Sequence, residues 1–151
     1  TIGKAKEHLE ATAKLLSKKL APLGGKAYIS VNKAVVTRAS AVIPVVPLYL
    51  AILFKVMKEK GIHEGCIEQM YRLFAEKLYA RSEVPVDEEG RIRMDDWEMR
   101  PDVQAEVDRR WKLVKGENLR QLADLEQYTR DFLNLHGFGF PEIDYEKDVA
   151  V

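Results

Sequence analysis

One lysine stands on the apolar stripe of an expected helix, and it is the first residue of this sequence that suggests chemistry. Ile2, Lys6, Leu9, Ala13, Leu16 and Leu20 recur at steps of three and four, which puts Lys6 in line with apolar side chains. Two readings follow. The aliphatic stem packs while the amine reaches water, or the amine is held in a dry site beside a ligand, where an unpaired charge is costly. A second feature is the run from Ser30 to Pro44, in which an apolar strand ends at Val35-Val36-Thr37 and a Thr/Ser-bearing loop follows. Ligands of open α/β sheets sit at the carboxyl ends of strands, so these three residues are candidate contacts. Ordinary residues at a strand end are the competing reading. His8, His63 and His136 lack metal-ligand spacing and read as surface or capping residues, so no metal is expected. Cys66 lies near a helix start, where the dipole lowers a thiol pKa, but nothing around it supports a nucleophile. Asp87-Glu88-Glu89 and Asp95-Asp96 read as solvated turns without the alternating oxygen ligands of a calcium loop. Gly137-Phe138-Gly139 follows a helix rather than a strand and is no dinucleotide turn. There is no phosphate-binding P-loop.

The elements that must position these residues are mostly helical. A first helix is expected over Gly3–Leu20, ended by Pro22 and Gly24-Gly25. Lys26–Val36 is rich in β-branched residues and apolar on both faces, which predicts a buried parallel strand. Thr37–Pro47 reads as a loop or short helix. Leu48–Lys60 is a helix with no polar face in its first half, which demands burial on several sides. Glu64–Ala80 is expected to bury Ile67, Met70, Tyr71, Phe74 and Leu78. Asp87–Gly90 reads as a turn joining Val84–Val86 and Arg91–Met94 into a small hairpin. Pro101 suits the first position of a helix running to Lys115, with Val103, Val107, Trp111 and Val114 inward. A last helix spans Asn118–His136, with Leu119, Leu122, Leu125, Tyr128, Phe132 and Leu135 inward. Gly137–Pro141 breaks it, and an acidic tail follows.

Composition bounds what this chain does. It has 151 residues, 24 basic and 24 acidic, and 46% are hydrophobic. That is one globular domain or part of one, not a disordered chain. The zero net charge argues against a protein built to hold nucleic acid. One cysteine excludes an internal disulfide. The longest uncharged stretch, Ala39 to Phe54, contains Pro44 and Pro47 and is shorter than the roughly 20 residues of a spanning helix. No signal peptide is read, so a cytoplasmic location without membrane contact is expected. A lone helix–strand crossover unit with so apolar a neighbouring segment predicts the C-terminal portion of a larger α/β domain.

Several runs resemble one family. Gly3-Lys4-Ala5-Lys6, the run Ser30 to Pro44, Pro47-Leu48-Tyr49-Leu50, Phe54 to Lys60, His63 to Gln69 and Arg91 to Asp96 are similar to the C-terminal part of bacterial trans-2-enoyl-CoA reductases. This family includes NADH-dependent enoyl-ACP reductases and is related to the short-chain dehydrogenases. The resemblance covers essentially the whole chain. It implies a Rossmann-type doubly wound fold, here mostly helical with one core parallel strand. The activity implied is reduction of a trans-2-enoyl-CoA or enoyl-ACP thioester by NADH, with hydride delivered to the β-carbon. The family's catalytic Tyr precedes its Lys by nine positions. Lys6 matches the Lys, and the Tyr would fall just before Thr1. The glycine-rich nucleotide loop would belong to an N-terminal half outside this chain, so residues 1–151 alone are expected to be inactive. By the same resemblance Lys6 binds the nicotinamide ribose and stabilises the ionised Tyr, and Val35, Val36 and Thr37 touch the nicotinamide. Val46 and Phe54 line the acyl pocket, and Tyr128 lies near the enoyl chain. Two other functions stay open: a helical interaction module using the apolar Val35–Phe54 surface, and another short-chain-dehydrogenase-type reduction.

Overall fold

In the computed structural model, which describes residues 1–79 and 83–148, the chain forms two compact units. The first contains residues 1–33 and 64–97, the second residues 34–63 and 98 onward. No helix of the described residues is long and apolar enough to cross a membrane.

In the first unit α1 (Ile2–Leu20) passes into a short 3-10 turn at Ala21–Leu23 and stops at Gly24, whose φ of 69° suits glycine. Ser17 then ties the departing chain back: its Oγ donates to the Ala27 carbonyl (2.9 Å) and accepts from the Ala27 amide (3.0 Å). The expected strand over Lys26–Val36 is much shorter. Only Ile29–Val31 forms β1, because its partner β2 (Arg91–Arg93) offers three residues of ladder. The two strands run parallel, with Ser30 opposite Ile92. The expected hairpin is therefore absent. Asp87 does make the turn, its carboxylate accepting the amides of Glu89 (3.1 Å) and Arg91 (2.9 Å), but the chain it turns pairs with β1 and not with Val84–Val86. Gln69 supplies a backbone partner beyond the ladder, its Oε1 accepting the Lys33 amide (2.8 Å).

The helix expected over Glu64–Ala80 begins as α4 (Cys66–Arg72) and continues as π-helical turns over Leu73–Leu78; its expected last residue, Ala80, lies outside the described residues. The face it buries is only partly the expected one: Met70 and Leu78 pack inward and Phe74 does not. Ile67 and Tyr71 are exposed, and Gln69, Arg72 and Leu73 are buried. Arg72 decides this. Its Nε and Nη2 donate to both oxygens of buried Glu64 (2.7 and 2.8 Å), its Nη1 to Asp96 (2.9 Å) and its Nη2 also to the Met94 carbonyl (2.8 Å). The guanidinium lies over the Trp97 ring, 4.2 Å from its centroid. A planar cation held by four hydrogen bonds and one ring face orients the helix more firmly than Ile67 and Tyr71 could. Leu73, Ile92 and Met94 form the small apolar core beneath, with Tyr28, Met70 and Leu78 against it.

The second unit is built around α3 (Val46–Glu59), in which Leu50, Ala51, Ile52, Leu53, Phe54, Val56 and Met57 are all buried. A helix without a polar face needs covering on several sides. Here α5 (Pro101–Leu113) and α7 (Leu125–Asn134) pack on it, and α2 (Arg38–Val42) precedes it. Val103 and Val107 face inward as expected, joined by Arg110, which pairs with Glu106 and Glu59. The last expected helix is broken. α6 (Leu119–Leu122) ends at Ala123, whose extended backbone (φ −130°) leads into Asp124. Asp124 caps α7 by accepting the Gln127 amide (2.9 Å), donates its own amide to the Ala51 carbonyl (2.8 Å) and pairs with Lys58 (2.8 Å). Leu135 is exposed rather than inward.

Replacing Arg72 by Ala leaves Glu64 buried without its cation, which should destabilise the protein by about 3–5 kcal/mol in chemical denaturation. Burial opposes ionisation of the Asp96 carboxyl, but hydrogen bonds and charge from Lys77 and Arg72 outweigh it and hold its pKa below the ordinary range. A depressed folded pKa means that the stability gained is complete above the unfolded value of about 3.9 and is lost as pH falls below it. Asp96→Asn should accordingly flatten the fall of the thermal midpoint between about pH 4 and pH 2.

Candidate functional site

Four of the seven residues singled out in the sequence meet in the second unit. Val36, Leu50 and Phe54 form a buried apolar cluster, with Val46, Tyr49, Tyr128, Phe132 and Ala34 packed against it. They arrive by three routes. Phe54 is one turn beyond Leu50 on α3, and Val46 opens that helix. Tyr128 sits one turn into α7 beyond Asp124, so the Asp124–Ala51 link that fixes α7 on α3 also sets the height of the Tyr128 ring. Val36 comes from the extended segment that follows β1 and precedes α2.

The phenol of Tyr128 is the unusual group in this cluster. Its hydroxyl is buried and has no hydrogen-bond partner among the described residues, and burial raises its pKa, so it is a neutral donor. An unpaired buried hydroxyl costs about 1–3 kcal/mol. The Tyr49 hydroxyl is different. It donates to Glu98 Oε1 (2.7 Å), and burial followed by that carboxylate pushes its pKa up to about 12.

Val35 and Thr37 flank Val36 but do not join the cluster. Val35 is half-buried and Thr37 is exposed. Thr37 caps α2: its Oγ1 accepts the Ser40 amide (3.0 Å) and its own amide donates to Ser40 Oγ (2.7 Å). The strand end thus lies at Val31, and Val35–Thr37 is an unladdered extension of it. The uncharged stretch from Ala39 to Phe54 is only partly buried. Val42, Ile43 and Val45 are exposed, and Val45 holds a left-handed φ of 65°. That backbone costs a β-branched residue about 1–2 kcal/mol.

Lys6 belongs to the first unit. It is exposed on α1, and no residue of that helix is buried: Ile2 is 80% exposed, Leu9 55% and Leu16 44%. The stripe that Lys6 shares is therefore largely uncovered within these residues, with Ala13 half-buried, and the dry setting of the Lys6 amine is absent here. His8 is exposed on α1, the His63 ring meets Phe54 edge-on at 4.8 Å, and His136 Nδ1 lies 2.9 Å from the Phe132 carbonyl at the end of α7. Cys66 is exposed. The sequence gives no sign of Glu98, buried at 7% exposure and bonded to both Tyr49 and the Ala34 amide. Neither its spacing nor its neighbours Trp97 and Met99 mark it.

Residues 1–79 match the protein family described as the trans-2-enoyl-CoA reductase catalytic region, and residues 86–149 match one described as an enoyl reductase FAD binding domain. The enoyl-[acyl-carrier-protein] reductase [NADH] of Flavobacterium johnsoniae is 62% identical over 148 residues, 98% of this chain and 37% of that protein. The trans-2-enoyl-CoA reductase [NADH] of Brachyspira hyodysenteriae is 61% identical over 152 residues, all of this chain and 39% of that protein. The chain thus spans well under half the length of these relatives. The crystal structure of Clostridium acetobutulicum trans-2-enoyl-CoA reductase in complex with NAD superposes with a TM-score of 0.92 at 53% identity, covering 99% of this chain and 39% of that one. The Treponema denticola trans-2-enoyl-CoA reductase, also in complex with NAD, gives a TM-score of 0.89 at 60% identity, over 98% of this chain and 37% of that one.

A flavin dinucleotide does not fit the described residues of the second match. No strand there leads through a glycine turn into a helix, the arrangement that holds a pyrophosphate. Gly137 and Gly139, both with positive φ, follow the end of α7.

Tyr128→Phe removes the unpaired hydroxyl and keeps the ring. It should leave the ligand-free protein as stable or about 1 kcal/mol more stable in chemical denaturation.

Proposed function

The chain belongs to the trans-2-enoyl-CoA reductase family, and we propose that it forms the C-terminal part of a reductase that reduces the C2–C3 double bond of a trans-2-enoyl thioester with NADH. The observation that carries this reading is the meeting of Val36, Val46, Phe54 and Tyr128 around one unpartnered phenol. An apolar wall with a single poised donor suits an acyl chain whose only polar end is a thioester carbonyl. The relatives named as NADH-dependent enoyl reductases support the substrate class and the cofactor. One of them is named for a CoA thioester and another for acyl-carrier protein, so the thioester is the shared chemistry.

The residues present suit the nicotinamide end of NADH and not its pyrophosphate. Val35 and Thr37 offer backbone groups beside a buried valine on the carboxyl side of β1, where ligands of open sheets bind. The bound NADH supplies the hydride. Lys6 binds the nicotinamide ribose hydroxyls and, through its charge, favours the ionised form of a neighbouring Tyr and the negative charge that develops on the thioester oxygen. Val46 and Phe54 exclude water from the acyl chain. The partner of this chain is an N-terminal nucleotide-binding half that carries the Tyr and the glycine-rich loop and completes a Rossmann-type sheet on the parallel β1–β2 pair. That half covers the exposed α1 stripe, which would give Lys6 the dry setting it lacks here. The work belongs to fatty-acid metabolism in the cytoplasm.

A second reading, a protein-interaction module, is favoured by the exposed Val42, Ile43 and Val45. Oxidation of NADH in the presence of crotonyl-CoA separates the two. The complete reductase should turn over, and residues 1–151 alone should not. In the complete reductase Lys6→Ala should lower kcat/KM by about 10²-fold or more and weaken NADH binding. Normal turnover and normal NADH affinity in that variant would remove Lys6 from the site.

A further inference from the structure

The Ala34 amide is the last backbone donor before the Val35–Thr37 segment, and it lies past the end of the β1–β2 ladder. A half-buried amide in that position, with no ladder partner, takes an acceptor from elsewhere. Glu98 provides it. Its Oε2 accepts the Ala34 amide at 2.7 Å, and its Oε1 accepts the Tyr49 hydroxyl at 2.7 Å. The Gln104 side chain in turn donates to the Glu98 carbonyl at 2.8 Å, which fixes the backbone from which the carboxylate extends. The carboxylate is thus held at both oxygens and through its own main chain, and it is 7% exposed. Burying a carboxylate is costly, and acceptance of charge-assisted hydrogen bonds offsets that cost only where both oxygens are used. Tyr49, with its pKa pushed up to about 12, remains a protonated donor throughout the neutral range.

We propose that Glu98 is a positioning residue for cofactor binding: by clamping the Ala34 amide against α3 through Tyr49, it pre-sets the backbone of Val35–Thr37 that meets the nicotinamide. The proposal rests on the cofactor reading of that segment given above. Glu98 touches neither substrate nor cofactor. It acts by removing freedom from a segment that no strand ladder holds, so that NADH binds a backbone already ordered.

The role depends on reach and hydrogen bonding rather than on charge, and this makes it testable in the complete reductase. A glutamine at 98 can accept the Ala34 amide with its carbonyl and donate to the Tyr49 oxygen with its amide group, keeping both links without the charge. An aspartate keeps the charge but is one methylene too short to span both partners. Glu98→Ala should raise KM for NADH about tenfold, from loss of the hydrogen bond to the Ala34 amide and of backbone order. Glu98→Asp should raise it severalfold, and Glu98→Gln should stay within about twofold of the parent. Across all three, kcat at saturating NADH and KM for crotonyl-CoA should change little. If Glu98→Ala does not fold, the order of the Asp and Gln variants still decides. A normal Asp variant beside an impaired Gln variant would assign the effect to charge and overturn the proposal. So would a parallel loss in KM for both substrates and in kcat, which marks a purely structural residue. Thr37→Tyr tests the underlying reading separately, because it adds bulk at an exposed position of the same segment. An unchanged KM for NADH in that variant removes the cofactor assignment itself. A raised KM there with normal Glu98 variants removes only the role of Glu98.

Discussion

The structure depends most on how the backbone is satisfied where the sheet stops. β1 and β2 pair over three residues, yet the apolar chain runs on for several more before α2 begins. Amides in that stretch have no strand beside them among the described residues, so side chains must accept from them. Gln69 takes the Lys33 amide and Glu98 takes that of Ala34. Thr37 and Ser40 close the run by capping each other. Three local solutions in five residues replace one ladder. Each of them uses a polar side chain that helix or strand periodicity would place on a surface.

That substitution explains which parts of the fold the sequence made legible. α3 was readable because a helix apolar on all sides has one destiny, and all of Leu50–Phe54 is buried. Pro101 marked the start of α5 because its fixed φ and missing amide suit only that place. The strand pairing was not readable. Three residues carry no period, and the turn chemistry of Asp87 fits a hairpin as well as the observed return to a parallel partner. The face of α4 came out rotated, with Met70 and Leu78 inward but Ile67, Tyr71 and Phe74 exposed, because periodicity counts apolar side chains and has no weight for one arginine with a buried glutamate. The last helix broke at Ala123 because Asp124 gains more by capping α7 and bonding Ala51 than by continuing α6.

The site divides in the same way. Family resemblance named Val36, Val46, Phe54 and Tyr128, and the fold brings them into one cluster. Spacing alone could not have done so, since they come from three elements and apolar residues are also what a core requires. Lys6 is the opposite case. Its position on a stripe was legible, but a stripe says nothing about what covers it, and here the described residues leave Lys6 and the large apolar side chains beside it exposed.

Two features of the second unit oppose stability, and both border the same cluster. The Tyr128 hydroxyl is buried without a partner, and Val45 holds a backbone that a β-branched residue resists. Neither is compensated locally: Val45 is exposed, and the phenol is surrounded by apolar groups. Strain and unsatisfied polarity of this kind persist where the surrounding structure over-determines them, and they concentrate at sites that bind. Glu98, with both oxygens engaged, shows that the same unit satisfies a buried polar group fully when the group is structural. The contrast separates the two kinds of residue more sharply than burial does. A carboxylate with both oxygens used holds the backbone, while a buried phenol with no partner among the described residues leaves its desolvation cost unmet.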